Sequence, residues 1–435
     1  MRTPVVLALA AFLGLPAGLG AQEADLPAGA RDSLLDARLA IYTGDGARAV
    51  RTLKALCEAH PDVAVLHANL GFAYEAEMHT ERAIAEYEEA VRLEPTSFRC
   101  LEKLGNAYSN LRRYEEAIPI LEQAVESRPG SAWAHAGLGH AYQRAGRLPE
   151  AIEEAETAVQ LYRSGSGGWP DRDVRPAGEA LRPDPAPRAY MLSNLGYYYL
   201  REGRWSAGIR TLMEAYDLDW NYAQVLGAFS TVGNEGITAL ARAVGENPTD
   251  PMARFDHAVA LSWRDPTDHE PAHREIRAGL AIDPTCTELL KLEGTLFARS
   301  GEAERAVAPL QRCIELEPEN WACMSHLGAI LYEIERYDEA RVFAERALAI
   351  RPDLPASHTT VAYWNGMHDN FREAITSLER AMEYGSTDAG AYGALAWAYM
   401  EVGDYENAMI QAQRARRLGF GHAAGLIEEI RRRSR

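Results

Sequence analysis

Residues 269–273 read His-Glu-Pro-Ala-His and match the pattern H-E-x-x-H. On a continuous helix the two histidines of this pattern share one face and bind zinc, while the glutamate acts as general base. Pro271 lies between the histidines, and proline favours the first turn of a helix over its interior. We therefore expect His269 to lie in the turn before a helix, and we interpret the match as a coincidence of sequence. A zinc-dependent hydrolase remains the least favoured functional hypothesis.

No other segment carries a recognisable catalytic pattern. Residues 164–168, Ser-Gly-Ser-Gly-Gly, are flexible in composition, but they follow no strand and lack the lysine of a phosphate-binding loop. No serine, histidine and aspartate stand in the arrangement of a nucleophile elbow. We predict that the protein is not an enzyme and has no cofactor.

A strict 34-residue period organises residues 64–165. The recurring residues are a Leu-Gly pair, a Tyr three residues after the Gly, two alanines seven residues apart, and a closing Pro. They are Leu70, Gly71, Tyr74, Ala83, Ala90 and Pro95, then Leu104, Gly105, Tyr108, Ala117, Ala124 and Pro129, then Leu138, Gly139, Tyr142, Ala151 and Ala158. The three- and four-residue spacing predicts two helices per unit. One helical hairpin cannot bury its apolar face alone, so neighbouring units must stack.

This pattern resembles the tetratricopeptide repeat family, and consecutive copies in register make the resemblance specific. The resemblance implies an all-α fold, a right-handed superhelical solenoid of stacked helical hairpins. It also implies a concave groove that is lined by the first helix of each unit, at positions 2, 5, 9 and 12. Proteins of this kind bind other proteins, so we expect a scaffold rather than a catalyst.

The register extends over most of the chain. We predict four N-terminal units over 22–165 and seven C-terminal units over 189–422, of which the sixth and seventh are degenerate. A capping helix and basic tail occupy 423–435. The predicted units are 30–63, 64–97, 98–131, 132–165, 189–222, 223–250, 251–286, 287–320, 321–354, 355–388 and 389–422.

Residues 166–188 form an insertion rich in Gly, Pro and Arg. Unstructured connections of this length are usually functional or disordered. Two hypotheses stay open for it: the insertion folds over the groove with Trp169 as an anchor, or it is a plain flexible connection.

Composition and charge limit the partners. The chain of 435 residues has a net charge of −18, and only three of its 45 basic residues are lysines. An acidic chain repels phosphate backbones, which argues against a nucleic-acid partner. The hydrophobic fraction of 47% is ample for a continuous core.

The N-terminus resembles a secretory signal. Met1-Arg2 is followed by an apolar run from Val5 to Leu15 and then by small residues up to Ala21. We predict a signal peptide over 1–21 and an exported protein, periplasmic or secreted in a bacterium. The apolar run is too short to span a bilayer comfortably, and we expect no integral membrane segment.

The five cysteines follow no metal-binding spacing. Cys57, Cys100 and Cys313 fall at helical positions that suit small buried residues. An exported protein also permits disulfides, although the number is odd. The alternatives are buried thiols or a Cys313–Cys323 bridge that joins the eighth unit to the ninth.

A first candidate binding patch lies in the first three units. Some tetratricopeptide relatives hold the C-terminal carboxylate of a peptide with basic and Asn residues of three consecutive units. On the matching positions this chain has Asn69, Arg99 and Lys103, whereas Leu34 and Arg38 replace a Lys and an Asn. The clamp is thus incomplete, but a Lys and an Arg on one helix face still suit a carboxylate. Ordinary solvated side chains are the alternative interpretation.

A second candidate patch is aromatic. Trp133 and His140 occupy positions 2 and 9 of the fourth unit, and Tyr190 and Tyr197 occupy them in the fifth. Aromatic side chains offer large contact area to extended peptides, and they also stack on sugars. Packing between helices is the alternative, and we assign it to Tyr198 and Tyr199. The other groove-facing candidates are Asn106 in the third unit and the position-9 aromatics Phe72, Tyr363 and Trp397.

The favoured hypothesis is a non-catalytic protein–protein interaction scaffold that binds peptide segments of a partner in its groove. The alternative is a protein that binds glycans or cell-wall fragments through the groove aromatics. The sequence leaves the partner and the oligomeric state open.

Overall fold

The computed structural model describes residues 23, 26–43, 45–164, 187–219, 223–265, 267–386 and 388–434. The predicted signal peptide and residues 165–186, which include most of the predicted insertion, lie outside the described residues. The chain divides into two compact units, Met1–Pro183 and Asp184–Arg435, and each is described by itself. The described residues form helices and the turns between them, with no β-strand.

In the described part of the first compact unit, eight helices form four hairpins, and each hairpin packs against the next. They are α1 (Ala28–Thr43), α2 (Gly46–Ala59), α3 (Ala64–Ala76), α4 (Thr80–Leu93), α5 (Phe98–Asn110), α6 (Tyr114–Ser127), α7 (Ala132–Arg144) and α8 (Leu148–Arg163).

The second compact unit continues the same architecture. Its helices are α9 (Pro187–Glu202), α10 (Trp205–Leu218), α11 (Ala223–Phe229), α12 (Gly233–Glu246), α13 (Pro251–Arg264), α14 (Glu270–Ile282), α15 (Thr287–Arg299), α16 (Ala303–Leu316), α17 (Trp321–Glu333), α18 (Tyr337–Ile350), α19 (Pro355–Met367), α20 (Phe371–Glu383), α21 (Ala389–Glu401), α22 (Tyr405–Arg417) and α23 (Ala423–Arg433). The all-α array of stacked helical hairpins that the repeat pattern predicts is confirmed.

Two local departures from regularity follow the sequence. Helix α11 has only seven residues and continues through a 3₁₀ turn, Ser230–Val232, into α12. This irregular hairpin falls where the repeat pattern is degenerate. Helix α9 begins at Pro187, so Pro187 and Arg188, which we assigned to the insertion, lie in its first turn. Proline is tolerated there because the first amide groups of a helix have no intrahelical acceptor.

Small residues let the two helices of a hairpin approach each other. A β-carbon on Gly105 of α5 would lie 2.5 Å from Leu121 of α6, and one on Gly294 of α15 would lie 2.7 Å from Leu310 of α16. The paired alanines of the second helices are fully buried: Ala83, Ala90, Ala117, Ala124, Ala151 and Ala158. The packing role that the sequence predicts for these positions is confirmed.

Tyr108 and Tyr142, two of the repeated tyrosines, join successive hairpins by hydrogen bonds. The Tyr108 hydroxyl on α5 donates to Glu88 on α4 at 2.5 Å, and the Tyr142 hydroxyl on α7 donates to Glu122 on α6 at 2.6 Å. Burial and the neighbouring carboxylate raise the pKa of both tyrosines to about 12. The position therefore supplies an inter-unit hydrogen bond in addition to apolar surface.

A disulfide joins the eighth and ninth units. Cys313 on α16 and Cys323 on α17 are bonded, and both side chains are fully buried. The bridge that we weighed against free thiols is therefore present in the structure. Cys57 and Cys100 are buried thiols, as expected, and Cys286 is partly exposed.

Candidate functional site

Arg38 and Asn69 meet in the first compact unit. Arg38 extends from α1 and donates through Nε to Oδ1 of Asn69 on α3, at 2.9 Å. Asn69 in turn donates to the backbone carbonyl of Val65, at 2.6 Å. These bonds fix the direction of the guanidinium, because its planar donors keep a rigid geometry.

The same guanidinium holds a carboxylate of its own chain. Arg38 Nη2 lies 2.5 Å from Oε1 of Glu23, and Nη1 lies 3.3 Å from Oε2. Arg38 is 7% exposed and Glu23 is 3% exposed. A paired guanidinium and carboxylate form a strong, directional contact. Arg38, which replaces an Asn of the clamp, thus holds a carboxylate of the same chain.

Arg99 and Lys103 extend the cluster along α5. Burial lowers the pKa of Arg99, repulsion by Arg38 lowers it further, and the attraction of Glu23 opposes the shift. Lys103 places Nζ 5.8 Å from the ring centre of Phe72 on α3, a cation–π distance. We call Arg38, Asn69, Arg99 and Lys103 the basic cluster. Its members come from three consecutive first helices, as the clamp resemblance implies.

Asn106 lies further along α5 and faces the next hairpin. A β-carbon on Gly137 of α7 would lie 3.5 Å from Oδ1 of Asn106. Trp133 and His140, also on α7, are half-buried. Burial and the nearby Arg144 lower the pKa of His140, so its imidazole is neutral near pH 7. A neutral imidazole can donate one hydrogen bond and accept another.

Tyr190 and Tyr197 belong to the second compact unit, on α9, and both are half-buried. The Tyr197 hydroxyl accepts a hydrogen bond from Arg201 at 2.8 Å. Its ring packs edge-on against Tyr198, with centres 5.9 Å apart. Tyr198 and Tyr199 are 2% and 9% exposed, which confirms their predicted packing role.

The aromatics at position 9 differ in environment. Tyr363 on α19 packs against Tyr332 on α17, with ring centres 5.2 Å apart. Trp397 on α21 is 38% exposed and rests edge-on against Phe371. Phe72 is half-buried against the core of the first hairpins. Of these rings, Trp397 offers the most open surface.

The H-E-x-x-H segment begins just before a helix and not within one. His269 is the residue before α14, and Pro271 stands in the first turn of that helix. His273 stacks on Phe297 of α15, with ring centres 4.8 Å apart. His269 therefore lies in the turn before the helix, as the proline position predicted, while His273 lies within the helix.

A buried charge cluster in the second compact unit escaped the sequence analysis. Lys291 on α15 places Nζ 2.5 Å from Oδ2 of Asp217 on α10, and His326 on α17 lies 3.3 Å from Oδ1. All three side chains are buried. Burial opposes ionisation, but Lys291 and His326 hold the pKa of Asp217 below its ordinary value. Lys291 occupies a groove position, so α10 covers that part of the first-helix face.

Histidines at position 4 of two units form a second recurrent contact. His67 lies 2.8 Å from Glu86 through Nδ1 and 3.0 Å from the Pro61 carbonyl through Nε2. His135 repeats it with Glu154, at 2.6 Å, and with the Pro129 carbonyl, at 3.0 Å. A carbonyl only accepts hydrogen bonds, so Nε2 of each histidine carries a proton. The histidine lies on the first helix of its hairpin, the glutamate on the second helix, and the proline in the turn before them. The two hydrogen bonds therefore join that turn to both helices of the hairpin.

None of the helices in the described part of the chain is both long and apolar enough to cross a lipid bilayer.

The stacked hairpins define a helical repeat protein. Models of the tetratricopeptide repeat match residues 111–164 and 297–362, residues 86–118, and residues 34–98 and 368–421. Together these matches span more than half of the chain. The chain therefore belongs to the tetratricopeptide repeat family, a fold that is typically non-catalytic and binds other proteins.

One curated relative is the DnaJ homolog subfamily C member 3 homolog of Dictyostelium discoideum. It is 27% identical over 166 residues, which are 34% of this chain and 33% of the relative. The match thus spans about a third of the relative's length.

Solved structures with a similar fold include yeast Tom70, at 13% identity, with 93% of this chain and 96% of that chain covered and a TM-score of 0.40. Pseudomonas aeruginosa pilF is 18% identical, with 56% and 96% covered and a TM-score of 0.39. MamA 41-end from Desulfovibrio magneticus RS-1 is 18% identical, with 47% and 99% covered and a TM-score of 0.36.

Proposed function

We propose that this protein is a scaffold that binds peptide segments of a partner protein along its first-helix face, with the basic cluster holding a carboxylate. The observation that carries the proposal is the bidentate contact between Arg38 and Glu23, braced by Asn69. It supports the proposal because a carboxylate is bound next to Asn69, a residue at a clamp position of the family.

The electrostatics of the cluster favour an anion. Arg99 and Arg38 repel each other, and Glu23 relieves that repulsion. Removing Glu23 would leave cationic groups of α1 and α5 near one another in a partly buried site, which is unfavourable without a counter-charge. A peptide carboxylate supplies the same charge, so a partner chain competes with Glu23 for one position.

Groove recognition with few anchors gives modest affinity. We expect dissociation constants in the micromolar range, which correspond to a binding free energy of about −8 kcal/mol. The half-buried ring of Trp133 would add contact area for the rest of the peptide. Glycan stacking on the exposed ring of Trp397 is the alternative, since that ring has the most open face among the position-9 aromatics.

Affinity capture tests the proposal. The immobilised chain and an Arg99→Ala/Lys103→Ala variant are exposed to the same protein extract, and retained proteins are identified by mass spectrometry. We expect at least one protein that the variant loses and that a peptide from its C-terminus displaces. Identical retention by both chains, unaffected by such peptides, would contradict the proposal. A Trp397→Ala variant that loses only glycans would support the alternative.

We also propose that the protein is exported. The apolar run that precedes Ala21 and the Cys313–Cys323 disulfide support this, because disulfides persist in oxidising compartments. Mass measurement of the protein from separated cell fractions tests it. We expect a mature chain that begins near Gln22 in the exported fraction, and an uncleaved chain in the cytosol would contradict it.

A further inference from the structure

Three potential metal ligands converge between the first and second hairpins. Cys57 on α2, His67 on α3 and Glu86 on α4 each bring one ligand atom to within 4.8 Å of the other two. Cys57 is buried, and His67 and Glu86 are partly exposed. No other such group of three occurs among the residues that the structure describes.

The hydrogen bonds prepare His67 for ligation. The Pro61 carbonyl, 3.0 Å from Nε2, holds a proton on that nitrogen and directs Nδ1 towards Glu86. Nδ1 and the Glu86 carboxylate lie 2.8 Å apart and share a proton in the metal-free protein, since the hydrogen bond to Glu86 raises the pKa of His67. A metal ion would take the place of that proton. A backbone carbonyl that orients the imidazole in this way is the usual support of a metal-binding histidine.

The surrounding charge also favours a cation. The carboxylates of Glu86 and Glu89 raise the pKa of His67. Those of Glu86 and Glu58 raise the pKa of Cys57. In the metal-free protein, burial and these carboxylates raise the pKa of the Cys57 thiol to about 12. A metal ion at this position would take the place of the thiol proton.

We propose that Cys57, His67 and Glu86 bind a zinc ion that joins α2 of the first hairpin to α3 and α4 of the second. A thiolate, an imidazole and a carboxylate are the ligand set of zinc, at about 2.0–2.3 Å from the metal in a tetrahedral arrangement. The partly exposed side of the site leaves room for water as the fourth ligand. The site is independent of the proposed peptide binding and of the His269–His273 segment.

The fourth unit supplies an internal comparison. His135 and Glu154 repeat the His67 and Glu86 geometry, with the Pro129 carbonyl in place of Pro61. The residue that corresponds to Cys57 in the 34-residue register is Val125. The imidazole and carboxylate of the fourth unit therefore share only a proton, whereas the thiol makes the second unit a three-ligand site.

Zinc binding to the full chain tests the proposal. Chelator-treated protein is titrated with zinc, bound metal is measured after dialysis, and cobalt is used as a spectroscopic probe. We expect one zinc ion per wild-type chain, a higher melting temperature with zinc, and a thiolate-to-cobalt charge-transfer band. Cys57→Val and Glu86→Gln should abolish all three responses while retaining the helical circular dichroism spectrum.

Two matched variants sharpen the result. Cys100→Val removes another buried thiol and should leave zinc binding unchanged. Val125→Cys completes the ligand set of the fourth unit and should add a second zinc ion. Equal zinc content in the wild type, Cys57→Val and Val125→Cys would overturn the proposal, as would a wild-type chain that binds no zinc.

Discussion

At the scale of single residues, the turn inside each hairpin imposes the strictest backbone requirement. Among the described residues, position 15 of the unit adopts a positive φ in eight hairpins, and glycine fills it at Gly146, Gly203, Gly301 and Gly403. Met78, Arg112, Glu335 and Asp369 adopt the same conformation with φ between 59° and 63°. Left-handed backbone costs a residue other than glycine roughly 1–2 kcal/mol.

Met78→Gly should therefore stabilise the protein. The Met78 side chain is 81% exposed, so its removal costs little packing. After the greater flexibility of glycine in the unfolded chain is subtracted, we expect a gain of about 1 kcal/mol in the free energy of unfolding. Urea denaturation measures it. Gly146→Ala serves as the reverse control and should destabilise the protein, while a loss of stability in Met78→Gly would contradict the account.

The His135–Glu154 contact should make stability depend on pH. Burial opposes protonation, but the Glu154 hydrogen bond and the Pro129 carbonyl raise the pKa of His135 above its ordinary value. Its contribution is then complete below about pH 6.5, the unfolded value, and is lost as the pH rises through the folded value. The wild type should thus exceed His135→Gln in melting temperature by more at about pH 6 than at about pH 9. A melting-temperature difference between the two proteins that increases with pH would contradict the prediction.

At the scale of the helices, much of the architecture was predictable from spacing alone. The Leu-Gly pairs, the paired alanines and the closing prolines each report a local requirement of a helix or of its immediate partner, so one copy of the pattern defines one hairpin. Pro271 likewise placed His269 outside α14. These features depend on residues within one unit, where residues that are close in sequence are also close in space.

Contacts between units were not predictable in the same way. Asp217 and Lys291 are 74 residues apart, and nothing in the repeat register pairs them. Glu23 precedes the predicted first unit, and no periodicity assigns it to Arg38. Cys57, His67 and Glu86 lie on three helices without a recognised metal spacing. Such clusters depend on how hairpins stack, which a single-chain pattern does not encode.

The segment before α1 should compete with peptide ligands. Glu23→Gln removes the charge that pairs with Arg38, and hydrogen bonds to charged groups contribute about 1.5–3 kcal/mol. We expect peptides with a free C-terminal carboxylate to bind this variant about tenfold more tightly or better. Fluorescence titration measures the change. Asp36→Asn is the matched control, because Asp36 forms an exposed ion pair with Arg48 in the same hairpin. Equal gains in both variants would contradict competition at Arg38.

At the scale of the whole molecule, stacking alone does not account for the second compact unit. Helix α10 packs against α13 and α17, and Asp217 near its end pairs with Lys291 of α15. Tyr216 packs edge-on against Trp263. Arg299 lies 3.9 Å from the Trp263 ring centre, and Phe229 stacks on its face. These contacts join the fifth hairpin to the seventh, eighth and ninth, next to the degenerate sixth. The irregular sequence there permits a fold that a regular repeat would not form.

The variant Lys291→Met tests how much the buried Lys291–Asp217 pair contributes to stability. The change leaves Asp217 buried without its lysine, and breaking a buried pair from one side costs about 3–5 kcal/mol. Guanidinium denaturation should show a loss of this size. A double variant, Asp217→Leu/Lys291→Met, should recover much of the stability. Lys54→Met, at an exposed lysine, is the control, and equal effects at Lys54 and Lys291 would contradict the buried junction.

The most direct test of the central claim is the affinity of the chain for peptides that differ only at the C-terminus. Each peptide, taken from proteins that the chain retains, is synthesised as a free acid and as an amide, and both are titrated against the wild type and Arg99→Ala/Lys103→Ala. We predict micromolar binding of the acid, and binding of the amide weaker by about tenfold or more, with the difference lost in the variant. Equal affinity for acid and amide in the wild type would contradict a carboxylate-binding groove.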